Sequence, residues 1–207
     1  MKKRCIPAML ERLPHTISVC LISASLGGCS SFLAATHQGP IEQDPGQRTM
    51  GEVFDDRQIT THLKVNLVKA DPSLDEANIT VLSYNGVVLL TGEVPSAKLR
   101  ELAGETARNI NSVRQVHNQL SVASKASIYS RANDNWIGTK IRTKLIGSTE
   151  IESNRVKIVV ENRVVYIMGL LTESETQHVT ELARTTEGVT KVVRAVELVP
   201  EHERAPH

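Results

Sequence analysis

Apolar residues recur at i, i+4 and i+8 in two stretches of the chain, first Ile59, Leu63 and Leu67, then Ile137, Ile141 and Leu145. That spacing predicts two amphipathic helices, over 55–70 and 133–146, each opening behind acidic or amide residues suited to capping. After each helix the period shortens to that of strands. Residues 79–84 and 87–92 flank Asn85-Gly86, a strong hairpin signal. Residues 156–161 and 164–169 flank Asn162-Arg163, in which Asn supports the same turn although Arg is less suited to positive φ. Second helices are predicted over 96–109 and 174–186, the latter with a capping-box spacing from Ser174 to Gln177. Each stretch closes on a strand with apolar residues alternating toward one face, Val116, Leu120 and Val122 or Val192, Val196 and Leu198.

The two stretches are one pattern written twice. Ile79, Val81, Asn85 and Gly92 answer to Val156, Ile158, Asn162 and Gly169; Ala107, Arg108, Val113 and Val116 answer to Ala183, Arg184, Val189 and Val192. The offset drifts from 78 to 77 to 76 residues, one step in each of two loops, where length changes cost least. The predicted fold class is therefore α+β: two tandem αββαβ units over 55–124 and 131–200. Each is a small three-stranded mixed sheet with both helices on one face. Units of this size sit near the lower limit for a self-sufficient apolar core, so packing between them is expected.

Ahead of the repeats, residues 1–28 carry basic residues, the apolar run from Ile17 to Leu26 and then small residues, the order of an export signal. The run is short of the roughly 20 residues that span a bilayer. Without this segment the chain has 20 basic and 22 acidic residues, a net charge of −2, so no global field draws it onto nucleic acid. Cys29 is then the only cysteine. Residues 29–54, rich in Gly, Pro, Gln and small side chains, read as a tether, and 201–207 as a disordered tail.

No catalytic residue, metal site or cofactor is assigned. The sequence has no Gly-rich phosphate loop, no G-x-S-x-G and no H-E-x-x-H, and its histidines are scattered. Carboxylate pairs such as Asp55/Asp56 are expected to cap or solvate their elements. The informative difference between the copies lies on the opening helices. Where the first carries Gln58, His62 and Asn66, the second carries Trp136, Lys140 and Lys144, with Arg142 adding charge. This stripe is about 100° around the helix from the core positions. An indole beside cations suits the headgroup boundary of an anionic membrane, and the patch extends to Ile137 and Gly138. Two other readings stay open. Trp136 could fill the seam between the units, or anchor a protein partner.

The order of elements, the hairpins ending in Gly92 and Gly169, and the Gly188-Val189 turn resemble the BON domain of bacterial envelope proteins. Ser112-Val113 departs from that turn, which puts the first unit's turn in doubt. Leu26-Gly27-Gly28-Cys29 resembles a bacterial lipobox, in which Cys29 is acylated. Two such units behind a lipobox are similar to the dual-BON outer-membrane lipoproteins, the division- and outer-membrane-associated lipid-binding family. That resemblance implies an outer-membrane anchor facing the periplasm (Ser30, rather than Asp, follows the cysteine), binding of anionic phospholipid, placement at division sites and a part in outer-membrane integrity. The alternative function is a periplasmic adaptor docking onto envelope or outer-membrane assembly proteins.

Overall fold

The computed structural model describes residues 46–124 and 128–201. Cys29, the export signal and most of the tether lie outside them, as do residues 202–207. Helix α1 (Met50–Ala70) opens the first unit, followed by the short α2 (Pro72–Glu76), β1 (Asn78–Tyr84), β2 (Val87–Val94), α3 (Ala97–Arg108) and β3 (Gln115–Val122). The second unit repeats the order with α4 (Ile128–Ile146), a 3-10 turn (Ser153–Arg155) where α2 stood, β4 (Val156–Glu161), β5 (Val164–Leu171), α5 (Glu173–Arg184) and β6 (Lys191–Leu198). In each sheet the middle strand is the second, antiparallel to the first and parallel to the third. The expected three-stranded mixed sheets are thus present, and the helix between antiparallel hairpin and parallel third strand is the crossover that parallel pairing requires.

Several boundaries differ from the pattern. Helix α1 begins at Met50, because Thr49 and Glu52 form a reciprocal capping box that outweighs the weak apolar period before Asp55. The last part of the expected tether is therefore structured. The capping box of α5 is Thr172 with Glu175, two residues ahead of the Ser174–Gln177 spacing. Glu201, assigned to the tail, accepts hydrogen bonds from the Ser174 amide and hydroxyl. Val122 and Leu198 are exposed at the ends of their strands, so the alternation stops one residue pair short.

Each core forms between a sheet and its two helices. Ile59, Leu63 and Leu67 meet Val88, Leu90 and Ala103 in the first unit; Ile137, Ile141 and Leu145 meet Val165, Ile167 and Val179 in the second. The alternate residues of the middle strands face the other way. Val87 and Leu89 of β2 join Tyr166, Met168 and Leu170 of β5 in a third apolar cluster with Tyr84 and Ala195. The two sheets therefore pack back to back, giving the layers helices, sheet, sheet, helices. This explains why β2 is buried on both faces, and it is the packing between units that their small cores call for.

Both hairpin turns are held by an aspartate from the opening helix. The Asp56 carboxylate accepts from the Asn85 and Gly86 amides at 2.8 and 2.9 Å and from the Ser83 hydroxyl at 2.7 Å. Asp134 accepts from the Asn162 and Arg163 amides, both at 2.8 Å. With these bonds Arg163 holds φ +64°, a conformation that otherwise favours glycine. The turn before the last strand is also the same in both units. Ser112 adopts φ +70° where Gly188 has φ +95°, and Val113 and Val189 each donate to a carbonyl three residues back at 3.2 Å. The departure at Ser112 leaves the turn's backbone unaltered and adds strain.

Candidate functional site

The outward face of α4 carries the stripe expected from sequence, with changes in its membership. Trp136 is 62% exposed, and the seam between units is built by the two sheets on the far side of the domain. The seam-filling reading of Trp136 is therefore excluded. Ile137 is only 1% exposed, within the core beneath α4. Gly138 is buried, and a Cβ there would lie 3.5 Å from Val160 and 3.2 Å from the Arg142 guanidinium. Neither can reach a bilayer. The sequence-level patch overextended because adjacent helical positions are about 100° apart, enough to pass from solvent to core.

The cations divide into two flanks. Lys140 places its ammonium 5.9 Å from the Trp136 ring centroid, a weak cation–π contact, while donating to the Glu187 carbonyl at 3.2 Å. Its Nζ is also 3.5 Å from the Glu187 carboxylate. Lys144 donates to Thr186 Oγ1 at 2.9 Å. Arg142 is about 160° around the helix from Lys140, and its guanidinium donates to the Ile158 carbonyl of edge strand β4 at 2.9 Å. The three charges thus bracket the outward face instead of clustering on one side.

Two further apolar side chains share this helix. Tyr129 is 87% exposed and Ile146 is 74% exposed. Tyr129 precedes Trp136 by seven residues, which places both on one stripe of α4. Tyr129 lies ahead of the predicted helix start at 133, and its heptad spacing to Trp136 is the signal that places it on the same stripe. Exposed aromatic rings flanked by lysines and an arginine present both an apolar surface and donors for anionic groups.

The histidines are not all scattered. His178 Nε2 lies 3.0 Å from Ser148 Oγ, and Nδ1 pairs with the Glu150 carboxylate. The Ser–His–carboxylate order is that of a hydrolytic relay, but the Ser148 oxygen also accepts the Glu150 amide within its own loop at 3.2 Å, and Glu150 is exposed. The arrangement ties the loop before β4 to α5. Among the described residues no cluster of His, Cys, Asp and Glu could hold a metal ion, and no described helix is long and apolar enough to cross a membrane.

At the seam the copies have diverged in charge. Tyr84 donates to the Arg155 carbonyl at 3.0 Å and carries the Arg48 guanidinium 3.8 Å above its ring. Its counterpart in the second unit is Glu161, 9% exposed, near Glu93 and Asp134. Burial, then the adjacent Glu93 and Asp134 charges, push the Glu161 carboxyl up to about 7 against a smaller pull from Arg131.

Comparison with known proteins agrees with this architecture. Residues 55–124 and 133–200 each match the family model described as BON domain. The chain is 32% identical over 163 residues to the 21 kDa hemolysin of Actinobacillus pleuropneumoniae, covering 79% of this chain and 82% of that one. It is 31% identical over 177 residues to the outer membrane lipoprotein DolP of Haemophilus influenzae, covering 84% and 86%. Over 152 residues it is 28% identical to the osmotically-inducible protein Y of Escherichia coli strain K12, covering 72% and 75%.

Proposed function

The chain belongs to the BON-domain family, and from that premise we propose that it is a lipid-anchored envelope protein that binds anionic phospholipid through the outward face of α4. The anchor is acylated Cys29, in the outer membrane and facing the periplasm, as the lipobox and the similarity to an outer membrane lipoprotein suggest. The observation that carries the phospholipid reading is Trp136, 62% exposed on a face it shares with Tyr129 and bracketed by Lys140, Lys144 and Arg142. Each cation near an anionic surface contributes about 1 kcal/mol, and the Glu187 carboxylate beside Lys140 offsets part of that. The contact is weak by itself and gains from the high local concentration that an anchor imposes. The resemblance to the dual-BON lipoproteins, rather than this face, is what suggests a part in outer-membrane integrity and placement at division sites.

Trp136 is the only tryptophan of the chain, so its fluorescence reports this face alone. Residues 30–207 are expected to sediment with vesicles containing phosphatidylglycerol, with a blue-shifted emission, and not with phosphatidylcholine alone. Salt, Trp136→Ala and Lys140→Glu/Lys144→Glu should each weaken binding. A folded chain that ignores anionic vesicles defeats the proposal and leaves the same aromatic face to a protein partner, the adaptor reading.

A further inference from the structure

The first unit has a cleft of about 630 Å³ at the place where two lysines of the second unit bridge its opening helix and turn. It lies between α1 and the turn before β3. Gln58, His62, Asn66, Asn109 and Asn111 line it. None of these side chains takes a hydrogen-bond partner among the described residues, and each offers both a donor and an acceptor. In the second unit Lys140 and Lys144, at the positions of His62 and Asn66, reach across to Glu187 and Thr186. The same turn and the same helix thus frame an open amide-lined cleft in one copy and a bridged surface in the other.

We infer that this cleft binds a saccharide, with N-acetylated amino sugars the best-matched class. Carboxamides present a donor and an acceptor side by side, which complements adjacent sugar hydroxyls and an acetamido group. Asp55 and Lys69 contribute one charge of each sign to the lining, so a neutral ligand suits it better than a phosphate or a carboxylate. The volume falls within the range of small-ligand sites. The apolar side of a sugar ring would meet Val65, and the lining has no Trp, Tyr or Phe for it to stack on, so weak binding is expected.

The test is a titration of residues 30–207, uniformly labelled with nitrogen-15, with triacetylchitotriose, followed by amide shifts. Shifts confined to 55–69 and 109–112 are expected, and cellotriose should bind more weakly for lack of acetamido groups. His62→Lys/Asn66→Lys, which installs the second unit's bridging residues, should reduce affinity at least tenfold with an unchanged thermal midpoint. Asn111→Ala is the milder second variant. A parallel sedimentation on vesicles displaying an N-acetylglucosamine glycolipid separates the sources: free oligomer binding points to a soluble or polymeric glycan, and vesicle binding alone to a lipid headgroup. Either supports the site. No response to free or displayed sugar, or shifts unaffected by the double lysine variant, overturns it.

Discussion

Glu161→Gln tests the acid cluster at the seam. The carboxyl is 9% exposed and has Glu93 and Asp134 as neighbours, and these together push it from its ordinary 4.5 up to about 7. Between those values the folded chain keeps a proton that the unfolded chain has released. Stability therefore falls as pH rises through this window and levels off above it. Fully expressed, the loss is about 3 kcal/mol, of which about 1 kcal/mol has accrued by pH 5 and nearly all the rest by pH 8. The carboxamide of the variant keeps the shape and cannot ionise. Urea unfolding followed by far-ultraviolet circular dichroism should give a variant more stable by about 1 kcal/mol at pH 5 and by up to about 3 kcal/mol at pH 8. Parallel stability curves for the two proteins would refute the reasoning, because the wild-type carboxyl would then have no shifted titration to lose. A variant less stable at every pH would show instead that the carboxylate accepts bonds an amide cannot replace.

Other predictions rest on single groups. Thr91 Oγ1 is buried on β2 and is the one such side-chain atom without a partner among the described residues; Thr91→Val should stabilise the protein by about 1 kcal/mol in the same unfolding assay. Asp134→Ala removes the acceptor for two turn amides and should cost about 2–3 kcal/mol, with faster hydrogen exchange confined to residues 161–164. Ser112→Gly relieves φ +70° and should raise stability by about 1 kcal/mol, whereas Gly188→Ser should lower it, since a Cβ there would sit 2.9 Å from Ile137 Cδ1.

How much of this was legible in the sequence depends on whether a feature repeats. The core stripes and hairpins appear twice with the same periodicity, so each copy confirmed the other and the fold followed. The helix starts did not, because Thr49 caps α1 by a local bond that leaves no periodic trace. The seam was legible only as a need. Its members, Tyr84, Leu89 and Met168, sit on strands whose two faces are both apolar, and alternation alone cannot say which face meets which. The exposed α4 stripe stands out by contrast between copies, whereas Ile137 and Gly138 neighbour Trp136 in sequence and not on its face. The cleft in the first unit is not legible in the sequence, because its residues read as ordinary polar positions. What distinguishes them is that Lys140 and Lys144 close the equivalent space in the other copy.

The back-to-back sheets place α1 and α4 on opposite faces, so a bilayer touching α4 has α1 as the layer furthest from it, about 40 Å away by ordinary layer spacings. The chain enters the fold through α1, which by itself puts a membrane anchor on the far side. Arg155 resolves this, since its Nε donates to the Gly46 carbonyl at 3.0 Å and Gln47 reaches Glu152 at 3.4 Å, tying the entering chain to the second unit before α1 begins. That tie lies roughly 15–20 Å from the outer face of α4. The 16 residues between Cys29 and Gly46 can reach at most about 55 Å, enough for an anchor at Cys29 to leave α4 on the membrane. Deleting ten of them would require near-full extension of the remainder for α4 to stay on the membrane. In lipidated protein on vesicles, quenching of Trp136 by brominated phosphatidylglycerol should therefore fall sharply on deletion of 33–42, while the soluble chain from Gly46 onward binds as before. Quenching that is indifferent to the deletion would mean that the anchor does not position this face, and that the contact with lipid, if made, is made through another surface.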